Sequence, residues 1–228
     1  MLNIAVIVNT IAVLLGSSLG IFFGNRLKDK YQKILFQAVG LTSFVIGIKM
    51  SFQAKELLVV LGSMAIGGLI GHWVGIEERL GKLANKIEKS QGETKFVKGF
   101  VTATVLFLVG PMTILGCINS GLKGDHELLF VKSLMDGISS IILGSMYAFG
   151  VMASAFSVYI VQGLLVTFAS YLIFLSDPIY LGDFTATGGF IVISIGFRLL
   201  DIKDIKAGNF LPALVVSPII DYILQLFK

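Results

Sequence analysis

Lys132 and Asp136 stand four residues apart in a stretch dominated by apolar side chains. On a helix that spacing puts an ammonium and a carboxylate on one face, where they can pair. A carboxylate in apolar surroundings can relay protons or bind a cation. A structural ion pair near a membrane interface is the other reading. Asp221 poses a similar choice between a buried functional carboxylate and one that snorkels to the surface. Asn9 and Gln162 are amides set within apolar runs. Pro111 follows Gly110 and, inside a helix, disengages the carbonyl of Phe107; Pro218 does the same to the carbonyl of Leu214. In lipid such carbonyls need partners. Either they line a path for a solute or ion, or a nearby hydroxyl, Thr113 or Ser217, takes them. Asn209 precedes the last apolar run and can cap it, with Pro212 in the first turn; a polar helix N-terminus of this kind can also receive an anion. With Gly188 and Gly189, these residues form the candidate path: Asn9, Gly110, Pro111, Thr113, Lys132, Asp136, Gln162, Gly188, Gly189, Asn209 and Pro212. His72 has no second histidine nearby to build a metal site, His126 falls in a loop, and Lys49 and Arg198 are expected to snorkel at helix ends. Neither a metal nor a cofactor is expected.

The elements that must position these residues follow from composition. Of 228 residues, 55% are hydrophobic and only 14% charged. That is too little polar surface for a soluble domain of this size, so an integral membrane protein is expected. A nucleotide loop, a GxSxG elbow, an HExxH pair and a paired CxxC are all missing from the sequence, which argues against an enzyme. Cys117 is alone and cannot form an internal disulfide. Residues 1–25 carry no charged side chain, so no basic region marks a cleaved secretory signal.

A helix needs about 20 residues to span a bilayer. Charge-free gaps predict crossings at 2–24, 34–50, 57–76, 99–122, 130–150, 155–175, 184–199 and 208–227. The uncharged run 137–176 would be about 60 Å long as one helix, so it must fold back, and Gly150 to Ser154 is the expected turn. The runs do not alternate apolar and polar residues, which excludes a barrel. The predicted fold is an all-α polytopic membrane protein with about eight transmembrane helices. One side receives thirteen bases, in 25–33, in the polar loop 78–98 and in 198–206; the other receives five. The positive-inside rule makes the first side, and loops 25–33 and 78–98, cytoplasmic.

The chain also carries a weak internal repeat. A shift of 149 puts Gly40 on Gly189, Ile46 on Ile195, Gly47 on Gly196 and Lys49 on Arg198. A shift of 153 puts Asn9 on Gln162 and Ser17 on Ser170. Helices 1–3 (residues 1–77) then correspond to helices 6–8 (155–227), with 99–150 as an inserted pair. An offset of five crossings makes the halves inverted three-helix repeats, a transporter pattern whose site lies between short, corresponding segments. The second and seventh crossings are such a pair. Glycines at 16, 20 and 24 and at 67, 71 and 75 form ridges suited to close helix packing, within the chain or in a homodimer.

The run Gly110-Pro111-Met112-Thr113-Ile114-Leu115-Gly116 resembles the GPMxILG signature of a prokaryotic membrane family, domain of unknown function 554, the YdfK/YqgA-like proteins. Further pieces are similar to it: Asn9-Thr10, Gly121 to Asp125, Lys132-Ser133 with Asp136-Gly137, Gln162-Gly163, Thr185 to Gly189, and Asn209 to Leu214. One departure is Ser120, where an acidic residue is expected before the glycine. The resemblance implies a bacterial inner-membrane protein and carries no activity with it. The expected function is secondary transport of a small solute or ion by a chain dissolved in the lipid bilayer, without a nucleic-acid partner. The alternative is a channel-like or partner-binding scaffold.

Overall fold

In a computed structural model, residues 3–24, 29–79, 82, 93–108 and 111–226 are described. Among them there is no strand. The helices are α1 (Ile4–Gly24), α2 (Asp29–Ser51), α3 (Leu57–Val74), α4 (Glu93–Leu108), α5 (Pro111–Lys123), α6 (Glu127–Tyr147), α7 (Phe149–Thr167), α8 (Pro178–Leu199) and α9 (Ala213–Leu226), with 3-10 turns at Ile173–Ser176 and Ala207–Phe210. Among the described residues, six stretches are long and apolar enough to cross a membrane: α1, α3, α6, α7, α8 and Ala207–Leu226. The pair α4 and α5, bent by 58° at the Pro111 break, makes a seventh if counted as one span. About eight were expected; the described residues show six, or seven with the bent pair. In α2 only Gly40–Ser51 is apolar, and twelve residues rise about 18 Å against a hydrocarbon core of about 30 Å.

Two boundaries differ from expectation for local reasons. The turn between α6 and α7 lies at Ala148, not at 150–154, and Ala148 takes the left-handed φ of 47° that the reversal demands. Gly150 is inside α7 because its bare Cα lets the backbone of Phe96 and Phe100 on α4 come close. The seventh crossing starts at Pro178, six residues earlier than the charge pattern suggested, so α8 is a full 22-residue helix and not a short one. Asp177 caps it by accepting from Ile179 N at 2.9 Å, and Pro178 fills the first position, where no amide is needed.

The chain forms two compact units: Met1–Phe36 with Gly81–Ile173, and Gln37–Leu80 with Phe174–Lys228. In the first, α1 and α6 run in the same direction with backbones nearly touching. Gly16 lies over Gly137, Gly20 over Ile141 and Gly144, and Gly24 over Ser145. In the second, α2 and α8 run oppositely, with Gly47 against Gly189 and Gly40 against Gly196. Gly67 and Gly71 of α3 meet Ala213 and the carbonyl of Asn209. Gly16, Gly20, Gly24, Gly67 and Gly71 are therefore packed against backbone of the same chain.

Polarity is distributed as lipid requires. Trp73 is 87% exposed and Phe52 84%, whereas Asn9, Ser17, Ser63, Gln162, Asp183, Thr185 and Ser217 are fully buried. Serines and threonines within the helices mostly return their hydroxyls to the preceding turn, as Ser63 does to Val59 O at 2.6 Å and Ser133 to Leu129 O at 2.6 Å.

Candidate functional site

The first unit has an apolar layer where Ala5 of α1, Cys117 of α5 and Leu129 of α6 pack with Leu165 and Val166 of α7. α1 and α6 run one way; α5 and α7 run the other. One turn onward, helical periodicity brings Asn9 above Ala5, Thr113 above Cys117, Lys132 and Ser133 above Leu129, and Gln162 above Val166. This second layer is polar. Lys132 Nζ donates to Asp136 Oδ1 at 2.5 Å, and Asn9 Nδ2 donates to Asp136 Oδ2 at 3.1 Å. The Lys132 ammonium also lies 5.9 Å from the centre of the Phe107 ring, within cation–π range. Asn9 Oδ1 and both polar atoms of Gln162 have no hydrogen-bond partner among the described residues.

Asp136 sits nine residues after the start of α6, about 13 Å along the helix. That is close to the centre of a 30 Å hydrocarbon core and deeper than the sequence suggested, because α6 begins at Glu127. The inner stripe of α6 continues with Ser140, which donates to Asp136 O at 2.7 Å. Near the layer, a groove of about 610 Å³ is lined by Asn3 and Val6 of α1 and by Tyr159, Ile160, Gly163, Leu164 and Thr167 of α7. Its lining residues flank Asn9 and Gln162 in sequence.

Thr113 has a different task. Its hydroxyl donates at 3.0 Å to Phe107 O, the carbonyl that Pro111 sets free, so the break is closed by a side chain. Gly110 lies outside the described residues, as do residues 25–28 and most of 78–98. The remaining candidates belong to the second unit. Gly189 is in contact with the backbone of Gly47 and Ser51, and Gly188 is buried beside it in α8. Asn209 does not cap α9. Its Oδ1 accepts from Glu77 N at 3.1 Å, and Pro212 O accepts the amides of Val215 and Val216 at 3.0 Å.

In the second unit, ion pairs join Arg198 to Glu77 and Asp204. Arg198 does not snorkel: its Nη1 is 2.5 Å from Glu77 Oε1 and its Nε 2.7 Å from Asp204 Oδ1. Glu77 Oε2 accepts from Gly208 N at 2.8 Å. Asp183 is fully buried, and its carboxylate accepts from Lys55 N at 2.6 Å and Glu56 N at 3.0 Å, just before α3 begins. These carboxylates spend themselves on backbone amides and on one guanidinium. Among the described residues no group of three metal-ligating side chains occurs.

The family model described as "Protein of unknown function (DUF554)" matches residues 4–222. The chain belongs to this family. It is 35% identical over 225 residues to the Uncharacterized membrane protein YdfK of Bacillus subtilis (strain 168), covering 97% of this chain and 96% of that one. It is 28% identical over 217 residues to the Uncharacterized protein YqgA of Escherichia coli (strain K12), covering 92% of each. No solved structure matches. With six apolar helices long enough to cross a bilayer, this DUF554 chain is a multi-pass membrane protein.

Sequence reasoning missed Asp183 and Glu77 in this DUF554 chain. As a charged residue, Asp183 reads in the sequence as the edge of a span. Asp177-Pro178, a cap followed by a first-turn proline, was the signal that the helix starts earlier and that Asp183 is inside it. Also missed was the chain from Asn3 Nδ2 to Ser120 Oγ, 2.8 Å, and on to His126 Nδ1, 2.8 Å, which ties the start of α1 to the α5–α6 turn. Ser120, the departure from the family signature, is its central member.

Proposed function

We propose that this protein is a secondary transporter of a small solute or ion across the bacterial inner membrane, without enzymatic activity of its own. The observation that carries the reading is the Lys132–Asp136 pair, buried near mid-span and held by Asn9. Ionisable groups at that depth are costly, and where they persist they mark solute and ion pathways.

The contacts of α2 and α8 support an inverted repeat. Gly47 meets Gly189, each with a Cβ position 2.7 Å from the other's carbonyl oxygen. Under the shift of 149, that pair becomes Gly196 with Gly40, which is the next contact along the same antiparallel helices. A two-fold axis exchanging α2 and α8 accounts for both. In this reading the thirteen bases of the 25–33, 78–98 and 198–206 segments face the cytoplasm.

The test is flux in proteoliposomes under imposed proton and sodium gradients, across a panel of small solutes and ions. Gradient-dependent uptake that disappears in Asp136→Asn, with the protein still folded, is the expected result. Uptake that survives this substitution makes Asp136 structural. A complete absence of flux favours the scaffold reading instead.

A further inference from the structure

We infer that the linker 200–206 is a latch, held over the end of α8 by ion pairs with water-exposed partners, and that rising ionic strength on that face of the protein opens it. In the proposed orientation that face is cytoplasmic. The inference goes beyond the transport reading and holds equally for a transporter or a scaffold.

The latch starts from the way α8 ends. Asp201 stands in the left-handed region at φ 54°; its amide donates to Arg198 O at 3.3 Å, and the amide of Ile202 donates to Phe197 O at 3.0 Å. This is the left-handed turn that closes many helices, with aspartate in the place glycine usually fills. It turns the chain back, so that Asp204 comes onto Arg198 and Lys206 reaches Glu78. From Asp201 to Lys206 every residue is exposed except Ile205, which is half-buried. No apolar side chain of the linker is fully buried, so beyond its backbone turns it is held by charge.

The polar contacts fall into two tiers that salt screens differently. In the inner tier Arg198, Glu77 and Asn209 are buried. Arg198 Nη1 donates to Glu77 Oε1, Gly208 N donates to Glu77 Oε2, and Glu77 N donates to Asn209 Oδ1. Buried pairs of this kind are little affected by salt. In the outer tier the side chains of Asp204 and Glu78 are each 68% exposed and that of Lys206 51%. Lys206 Nζ is 3.6 Å from Glu78 Oε1, and Asp204 Oδ1 is 2.7 Å from Arg198 Nε, which makes no hydrogen bond. Both outer contacts are therefore attractions between charges without an aligned hydrogen bond, and each has a partner in water. Such pairs are marginal at physiological ionic strength and weaker above it. Salt thus frees the linker while α3, α8 and the Ala207–Phe210 turn stay joined through Glu77. Release uncovers the Nε edge of Arg198 that Asp204 otherwise covers.

The experiment is hydrogen–deuterium exchange read by peptide mass spectrometry, on the purified full-length protein in an uncharged detergent, at about 20 mM and about 500 mM salt. Potassium chloride and choline chloride are compared, so that ionic strength is separated from any particular cation. Peptides covering 200–206 should exchange roughly three- to tenfold faster at the higher concentration of either salt, while the interior of α8 does not change. Asp204→Asn combined with Lys206→Gln should exchange fast at both concentrations. Lys203→Gln removes a charge from the same linker without touching either pair and should keep the wild-type response. All three side chains are exposed, so the fold does not depend on them. Equal exchange at both concentrations in wild type overturns the inference, as does a salt response that survives in the double variant. So does loss of the response in Lys203→Gln, or a response to potassium that choline does not reproduce.

Discussion

The two units bury charge in opposite ways. In the second, Glu77 accepts from Arg198 and from the amide of Gly208, Asn209 covers the amide of Glu77, and Asp183 holds the two amides that precede α3. In the first, Lys132 and Asp136 sit nearer mid-span, with Asn9 half-satisfied and Gln162 unsatisfied among the described residues. One arrangement fastens helix ends. The other keeps hydrogen-bonding capacity in reserve at a depth where that capacity is costly to maintain. A fold under selection for stability alone has reason to build the first kind only.

Substitutions can break or sharpen that contrast. The largest expected effect is in the second unit: Arg198→Met strands Glu77 and should cost about 3–5 kcal/mol in thermal or chemical unfolding in detergent. A cost below about 1 kcal/mol would put the pair on a level with exposed ones and erase the distinction. Next, Gly20→Leu should destabilise the first unit by about 1–3 kcal/mol, since α6 backbone occupies the space a side chain needs. Thr113→Val should cost about 1 kcal/mol by stranding the carbonyl of Phe107, and Thr113→Ser should restore most of it. The smallest loss is expected where the chemistry is richest. Lys132→Met combined with Asp136→Leu removes both charges together and should leave stability unchanged or raise it by about 1–4 kcal/mol, while ending flux. A large loss of stability in that double variant would make the pair structural and the two units alike.

Much of this was legible in the chain itself. The i,i+4 geometry of Lys132 and Asp136 needs nothing beyond one helix, and the structure has the pair closed at 2.5 Å. The carbonyl freed by Pro111 and the hydroxyl that could take it were both readable, because a proline's effect is confined to the preceding turn. Charge-free gaps located most helices. They failed where a charge lay inside a span, at Asp183, and where an apolar stretch was too short, in α2. Arg198 was misread for the same reason, since a charge at a helix end is sent to the surface when its acidic partners, Glu77 and Asp204, cannot be foreseen.

By itself, the sequence determined the solvent this polypeptide lives in, the helical state of its backbone and the contacts that close within one or two turns. These follow from composition and from the fixed pitch of a helix in a medium that offers amides no other partner. Only tertiary structure decided that Asn9 reaches Asp136 across 127 positions, that Gly47 lies on Gly189, and that Glu77 and Asp183 spend their carboxylates on protein donors while Asn9 and Gln162 hold amide atoms unspent among the described residues. In lipid every apolar face is equally acceptable to the solvent. Which faces meet is therefore set by small residues and a few long-range hydrogen bonds, and no periodicity in the chain announces those pairings.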